Sequence, residues 1–292
     1  MIAVGCEIYV RNMPSLYKQK RDQLVANADS IEVLVLGSSH AMDGIDPNQF
    51  TLYAHNLAFG SQSIYFDRKL AEKYLPDLPQ LKYVLLTLDY NSLYYDHDEG
   101  RDFFYQYYYG LHYKGRKFHK ESILQSFFVY TLEQTFSMML NDLRSNRKDL
   151  VKGWTDIAGK DDKEVLSVEK NELRAKGFIN TTKKWEGGDS VLGDLERLIN
   201  LLQSHNITPI LITFPNYSLM RSFLDESIIV RYGSVGTELS QKYQIPYLDY
   251  FADDSFTVAD YFNCDHLNAE GAAKLSKRIN EVIMSIEINK KK

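Results

Sequence analysis

The sequence predicts a three-layer α/β/α fold built on a five-stranded parallel sheet. Three observations predict it. Five short apolar runs recur along the chain, most of them closed by glycine or a polar residue. Segments with helical spacing of apolar residues lie between them. The runs are largely continuous in their apolar character rather than alternating, which is the pattern of strands covered on both faces.

The elements follow in order. "IEVLVLG" (31–37) reads as a buried strand closed by glycine, and "LYAHNLA" (52–58) as a second, less apolar one. "SQSIYFDRKLAEKYL" (61–75) reads as a helix stopped by Pro76. "KYVLLTLD" (82–89) is the third strand. Leu195, Leu198, Ile199 and Leu202 share one helical face before the fourth strand, "TPILITF" (208–214). A helix over 225–243 leads to the fifth strand, "IPYLDY" (245–250). Leu275, Ile279, Val282, Ile283 and Ile286 define the buried face of a final helix. Residues 94–190 break this rhythm. They hold a tyrosine-rich run, a long helical pattern in "ESILQSFFVYTLEQTFSMMLNDLRSN" and a charged, glycine-containing stretch. The chain therefore reads as one domain, 1–292, with 94–190 a helical cap inserted between strands 3 and 4.

Composition narrows the function classes. The chain has 292 residues, 44% of them hydrophobic, which suffices for one large core. A net charge of −5 with no basic stripe argues against nucleic acid as a partner. No segment reaches the roughly 18–20 apolar residues of a membrane span. "MIAVGCEIYV" is apolar but short and lacks a charged start, so it reads as a buried first segment or the stub of a trimmed anchor. Cys6 and Cys264 form no disulfide framework and have no zinc spacing. Neither a metal nor a cofactor is expected.

Ligands of parallel sheets bind beyond the carboxyl ends of the strands. The first strand ends there in Gly37-Ser38-Ser39-His40, within "VLVLGSSHAMDGIDP". A serine at such a strand-to-helix turn holds its Oγ in the open, beside backbone N–H groups able to stabilise an oxyanion. It needs a base, normally a histidine oriented by a third group. His266, in "DYFNCDHLNAEGAAKLSKRI", precedes the final helix and can meet the serine at one sheet edge.

These residues resemble the SGNH/GDSL hydrolase superfamily. "LVLGSSH" matches its opening Gly-Asp-Ser-like turn, with serine in the aspartate place. "NCDHLNAEG" matches its ending through His266, Leu267, Asn268 and Gly271. "NLAFGSQS" (56–63) and "LDYNSL" (88–93) resemble its second and third blocks. The Gly-Ser-Ser turn, the insertion and the "HLN" ending look most like the extracytoplasmic branch, with its polysaccharide O-acetyl-transfer enzymes and the protein that assists D-alanylation of teichoic acids. The resemblance implies a flavodoxin-like sheet, Ser39 as nucleophile, His266 as general base and Ser38 as the turn-builder. The oxyanion donors it implies are the N–H groups of Ser39 and Gly60, with Ala58 and Ser61 as alternatives for the latter, and the Asn91 amide. His40 is expected to be structural.

One departure matters. The family's aspartate falls on Asn263, so that residue, the adjacent Asp265 or Asp260 is left to orient His266. The implied function is a serine-dependent O-acyl esterase or acyltransferase that works through an acyl-enzyme. Its substrate would be an acylated carbohydrate, a cell-envelope glycan or a small ester, and the tyrosine-rich insertion either packs a subdomain core or offers a sugar face. The alternative is a catalytically weakened module that binds a glycan or a protein partner. The resemblance also implies an extracytoplasmic or periplasmic setting, with membrane association through a segment before Met1. The oligomeric state stays open. A phosphate-binding flavodoxin-like domain is set aside for want of a glycine-rich loop.

Overall fold

The computed structural model describes residues 8, 15–90, 92–94, 104–112, 150–156, 162–184 and 188–290. In chain order the helices and strands are α1 (Leu16–Ala26), β1 (Val33–Leu36), α2 (Ser39–Gly44), β2 (Ala54–Asn56), α3 (Ile64–Tyr74), β3 (Tyr83–Thr87), α4 (Asp162–Leu166), α5 (Val168–Lys184), α6 (Gly188–Ser204), β4 (Thr208–Thr213), α7 (Ser218–Arg221), α8 (Glu226–Tyr243), β5 (Tyr247–Asp249) and α9 (Ala269–Lys290).

The strands form one sheet in the order β2-β1-β3-β4-β5, and every pairing is parallel. This is the flavodoxin-like order, whose switch point lies between β1 and β3. Side chains of the central strands alternate between two cores. Leu34, Leu36, Val84 and Leu86 join Leu195, Leu198, Ile199 and Leu202 of α6 on one face. Val33, Val35, Leu85 and Ile210 join Leu275, Ile279 and Ile283 of α9 on the other. Two helical layers therefore cover one sheet, and that double cover is why the strands read as unbroken apolar runs.

Each strand is shorter than the segment that announced it; β2 keeps only Ala54–Asn56 of 52–58. Residues 61–63 stay outside α3, where Ser61 has φ 57°. α1 has no counterpart in the sequence reading: its charges encircle it, and only Tyr17, Lys20 and Leu24 are buried. Among the described residues, no helix is long and apolar enough to cross a membrane.

The described tyrosines of the tyrosine-rich run follow the core-packing reading rather than the sugar face. Tyr105, Tyr108 and Tyr109 are buried in the core beside Tyr17. Tyr105 stacks on Phe66 with ring centroids 3.9 Å apart. Their apolar rings gain more from this contact than from solvent. The long helical pattern of residues 121–146 lies outside the described residues, as does Asn91.

Gly37 ends β1 for a steric reason. Its φ is +130°, and a Cβ there would meet Thr87 Oγ1 at 1.9 Å. The carboxyl ends of β1 and β3 thus approach closely, and the residues just beyond them come together.

Candidate active site

Ser38 opens α2 as its N-cap. Its Oγ accepts from the His40 N–H and donates to Asp89 Oδ2 at 3.1 Å. The residue ahead of the nucleophile candidate is therefore committed to building the turn. Ser39, the first residue of α2, presents its Oγ 2.8 Å from His266 Nε2. The two residues are 227 positions apart in the chain.

His266 sits in a loop that Asn268 holds in shape. Asn268 Nδ2 donates to the carbonyls of Ala259 and Tyr261, while its Oδ1 accepts from the N–H groups of Glu270 and Gly271 at the start of α9. Gly271 is required by packing, since a Cβ there would lie 2.2 Å from the Asp260 carbonyl.

Two oxygens face His266 Nδ1: Asn263 Oδ1 at 3.1 Å and Asp265 Oδ1 at 3.1 Å. Both are acceptors, so the ring proton belongs on Nδ1 and Nε2 is left to accept from Ser39. The two neighbours differ in what else they do. Asn263 Oδ1 also accepts from the N–H groups of Asp265 and His266, forming a local turn. Asp265 is a fully buried carboxylate. Arg174 of α5 donates to it through Nε at 3.0 Å and Nη2 at 2.9 Å. Burial alone would raise the Asp265 pKa, but His266, His40 and Arg174 together hold it well below the usual carboxylate range. Asp260 does not take part: its carboxylate accepts from the Thr257 N–H and from Lys274 Nζ. It closes the capping box of a short 3₁₀ turn instead.

The second block binds its own amides. The Ala58 N–H donates to Asn56 Oδ1 and the Phe59 N–H to the Gly37 carbonyl. The Ala58 N–H, one of the alternative oxyanion donors, is thereby engaged within its own block. Lys20 donates to the Ala58 carbonyl at 2.5 Å, and its ammonium lies 4.7 Å from the Phe59 ring centroid.

A cavity of about 180 Å³ opens in front of Ser39, lined by Ser61, Gln62, Ser63 and Ile64 on one side. Arg174 and Phe178 of α5 complete it. Part of the 94–190 region therefore contributes directly to the site.

Three residues of the site carry no functional assignment from sequence: His40, Asp89 and Arg174. Asp89 had a signal, as an acid directly beyond an apolar strand that neighbours β1. Arg174 had none, because only the tertiary fold brings α5 to the loop before α9. Among the described residues, His40, Asp265 and His266 offer donor atoms within 4.8 Å of one another, close enough for a cation. Asp265 is already bound by a guanidinium and His266 Nε2 by Ser39, so a cation there would have to displace both.

Fold and site together define a class: a parallel α/β/α domain with a serine–histidine pair at the carboxyl edge of its sheet. No protein-family model matches the chain, and no curated protein matches it. Among solved structures it is similar to a candidate acylhydrolase from Bacteroides fragilis, at 13% identity and TM-score 0.46, over 94% of this chain and 99% of that one. It is also similar to a GDSL-like lipase from Bacteroides thetaiotaomicron, at 10% identity and TM-score 0.44, over 93% and 100%. A catalytic mutant of an acetylxylan esterase from Geobacillus stearothermophilus aligns at 10% identity and TM-score 0.39, over 87% and 94%. Likenesses this remote leave the activity of this chain to its own residues.

Proposed function

We propose that this chain is a serine-dependent O-acyl esterase or acyltransferase of the SGNH/GDSL type. The observation that carries the reading is the 2.8 Å contact between Ser39 Oγ and His266 Nε2, with two acceptor oxygens behind Nδ1. Ser39 Oγ attacks the acyl carbonyl carbon and passes its proton to His266 Nε2. The oxyanion forms against the N–H groups of Ser39 and Gly60, with Asn91 as the proposed side-chain donor. The intermediate collapses, and the leaving alcohol takes the proton from Nε2. Water or a sugar hydroxyl, deprotonated in turn by His266 Nε2, attacks the acyl carbon; the bond to Ser39 Oγ then breaks, and Oγ takes the proton back from Nε2. Asp265 supports the imidazolium that forms in both steps, and Asn263 shapes the loop.

A cavity of about 180 Å³, with Ile64 and Phe178 among the serines of its wall, suits a short acyl group better than a long chain. The proposed substrates are accordingly short-acyl esters, with an acylated carbohydrate or cell-envelope glycan as the larger acceptor or donor. The proposed setting is extracytoplasmic.

One observation favours a weakened, binding-only module. The carboxylate behind His266 is already shared with Arg174 and His40, which reduces its support for an imidazolium. A fluorophosphonate probe and p-nitrophenyl acetate separate the two readings. Labelling and turnover are expected in the wild type and lost in Ser39→Ala, with turnover also lost in His266→Ala. A wild type that neither labels nor turns over supports the binding module instead.

A further inference from the structure

His40 follows the nucleophile candidate directly, yet it stands between two carboxylates of the site. Its ring is buried, at 4% exposure. Nδ1 lies 2.6 Å from Asp89 Oδ2. Nε2 lies 3.4 Å from Asp265 Oδ2, at ion-pair distance. The His40 and His266 ring centroids are 4.7 Å apart. A linear series therefore runs Asp89, His40, Asp265, His266, Ser39, with Arg174 attached at its centre.

We propose that His40 is a positioning residue for the Ser39–His266 pair: its ring, anchored on Asp89, stands as a cation beside the Asp265 carboxylate that faces His266. This rests on the esterase reading given above. The charge follows from hydrogen-bond chemistry. An ionised carboxylate only accepts, and each ring nitrogen of His40 faces one, so each nitrogen has reason to carry a proton. A neutral ring would set one lone pair against a carboxylate in a buried site. Burial opposes the charge, but Asp89 and Asp265 outweigh it and push the His40 pKa up to about 10.

The other groups facing the ring agree with this assignment. Asp43, on α2 itself, is a third carboxyl within electrostatic reach of His40 and His266. Arg174 lies beyond Asp265 and is matched by that carboxylate. Tyr90 follows Asp89, with its ring 6.5 Å from that of His40.

The consequence concerns His266. With Arg174 and His40 both on Asp265, the carboxylate is held in place behind the ring of His266. His40 does not touch the reacting atoms; it acts through Asp265.

The test uses the full chain with His40→Gln, whose amide can still hydrogen-bond but carries no charge. In ¹⁵N-edited NMR, one histidine ring is expected to stay doubly protonated from pH 5.5 to 8.5, and its signals to vanish in the variant. No ring keeping both protons at pH 8.5 would overturn the proposal. With p-nitrophenyl acetate, kcat is expected to fall in His40→Gln while KM stays nearly unchanged, because the Ser39–His266 pair is displaced and the acyl pocket is not. A folded variant in which kcat and KM worsen together would reduce His40 to a merely structural role. Asp89→Asn leaves the ring in place and removes one anchor. It is expected to bring His40 into titration below pH 8.5, and it serves if His40→Gln does not fold. A wild type without Ser39-dependent turnover would sink the esterase reading, while the NMR result would still report on the His40 charge.

Discussion

The Arg174 guanidinium makes a paired contact with the Asp265 carboxylate, 91 residues further along the chain. Arg174 is half-exposed while Asp265 is not. The pair thus ties the inserted region to the loop that carries His266. Removing the guanidinium leaves a buried carboxylate with less compensation. Arg174→Ala is expected to lower stability by about 1–2 kcal/mol, the range for hydrogen bonds to a charged group discounted for exposure. Thermal melting reads that loss. Turnover of p-nitrophenyl acetate should fall with it, because Asp265 is then free to shift away from His266. An unchanged melting temperature and unchanged turnover would show the contact to be incidental.

Much of this arrangement is legible in the chain, and the reasons differ by element. β1, β3 and β4 are visible because both faces are covered, so burial leaves an unbroken apolar run. The buried face of α9 is visible because Leu275, Ile279 and Ile283 recur at helical spacing. The pairing of Ser39 with His266 follows from two strand-end positions that the topology brings to one edge. The acid behind His266 is not legible. Asn263 and Asp265 are separated by one residue, and only the loop geometry decides that both reach Nδ1. The fate of the tyrosines is equally hidden. An aromatic run has the same composition whether it lines a groove or packs against Phe66 and Tyr17.

The two residues behind His266 have different duties, which mutation separates. Asp265→Asn keeps the shape but removes the charge that supports the imidazolium. A comparable change in a serine–histidine–aspartate triad costs about 10⁴ in kcat. Asp265 here already shares its charge with Arg174, so a loss on the order of 10²–10⁴ is expected for turnover. Asn263→Ala removes the acceptor for two backbone N–H groups instead. It is expected to destabilise by about 1 kcal/mol with a smaller loss of turnover. Parallel kinetics and melting curves check both; the reverse ranking in turnover would make Asn263 the orienting group.

Gly37 tests the geometry of the strand end. Alanine there would have to adopt φ +130° and displace Thr87, whose Oγ1 lies 1.9 Å from the position of the new Cβ. Both effects act against the fold, and the expected loss is on the order of 3 kcal/mol or more. Gly37→Ala should melt well below the wild type and should lose Ser39 reactivity in proportion, since the same turn presents that serine. A variant with native stability would mean that β1 and β3 separate more readily at this end than the packing indicates.

Stability against pH distinguishes two buried basic groups, His40 and Lys20. His40 has its pKa raised from 6.5 to about 10. The stabilisation linked to its protonation is therefore fully present below about pH 6.5 and is lost as pH rises towards 10. Lys20 runs the other way. Burial lowers its pKa from 10.5 to about 7, so the penalty for burying its charge is full below pH 7 and is relieved as pH rises towards 10.5. The two largely cancel in the wild type, whose own melting profile between pH 7 and 10 is a poor reporter of either. Each variant removes one slope. His40→Gln should become more stable relative to the wild type as pH rises through this window, and Lys20→Met less stable. Thermal melts of all three chains at pH 6.5, 8 and 9.5 check the signs. Parallel profiles for His40→Gln and the wild type would mean that the ring between Asp89 and Asp265 is already neutral at pH 6.5, and the charge assignment would fail with it.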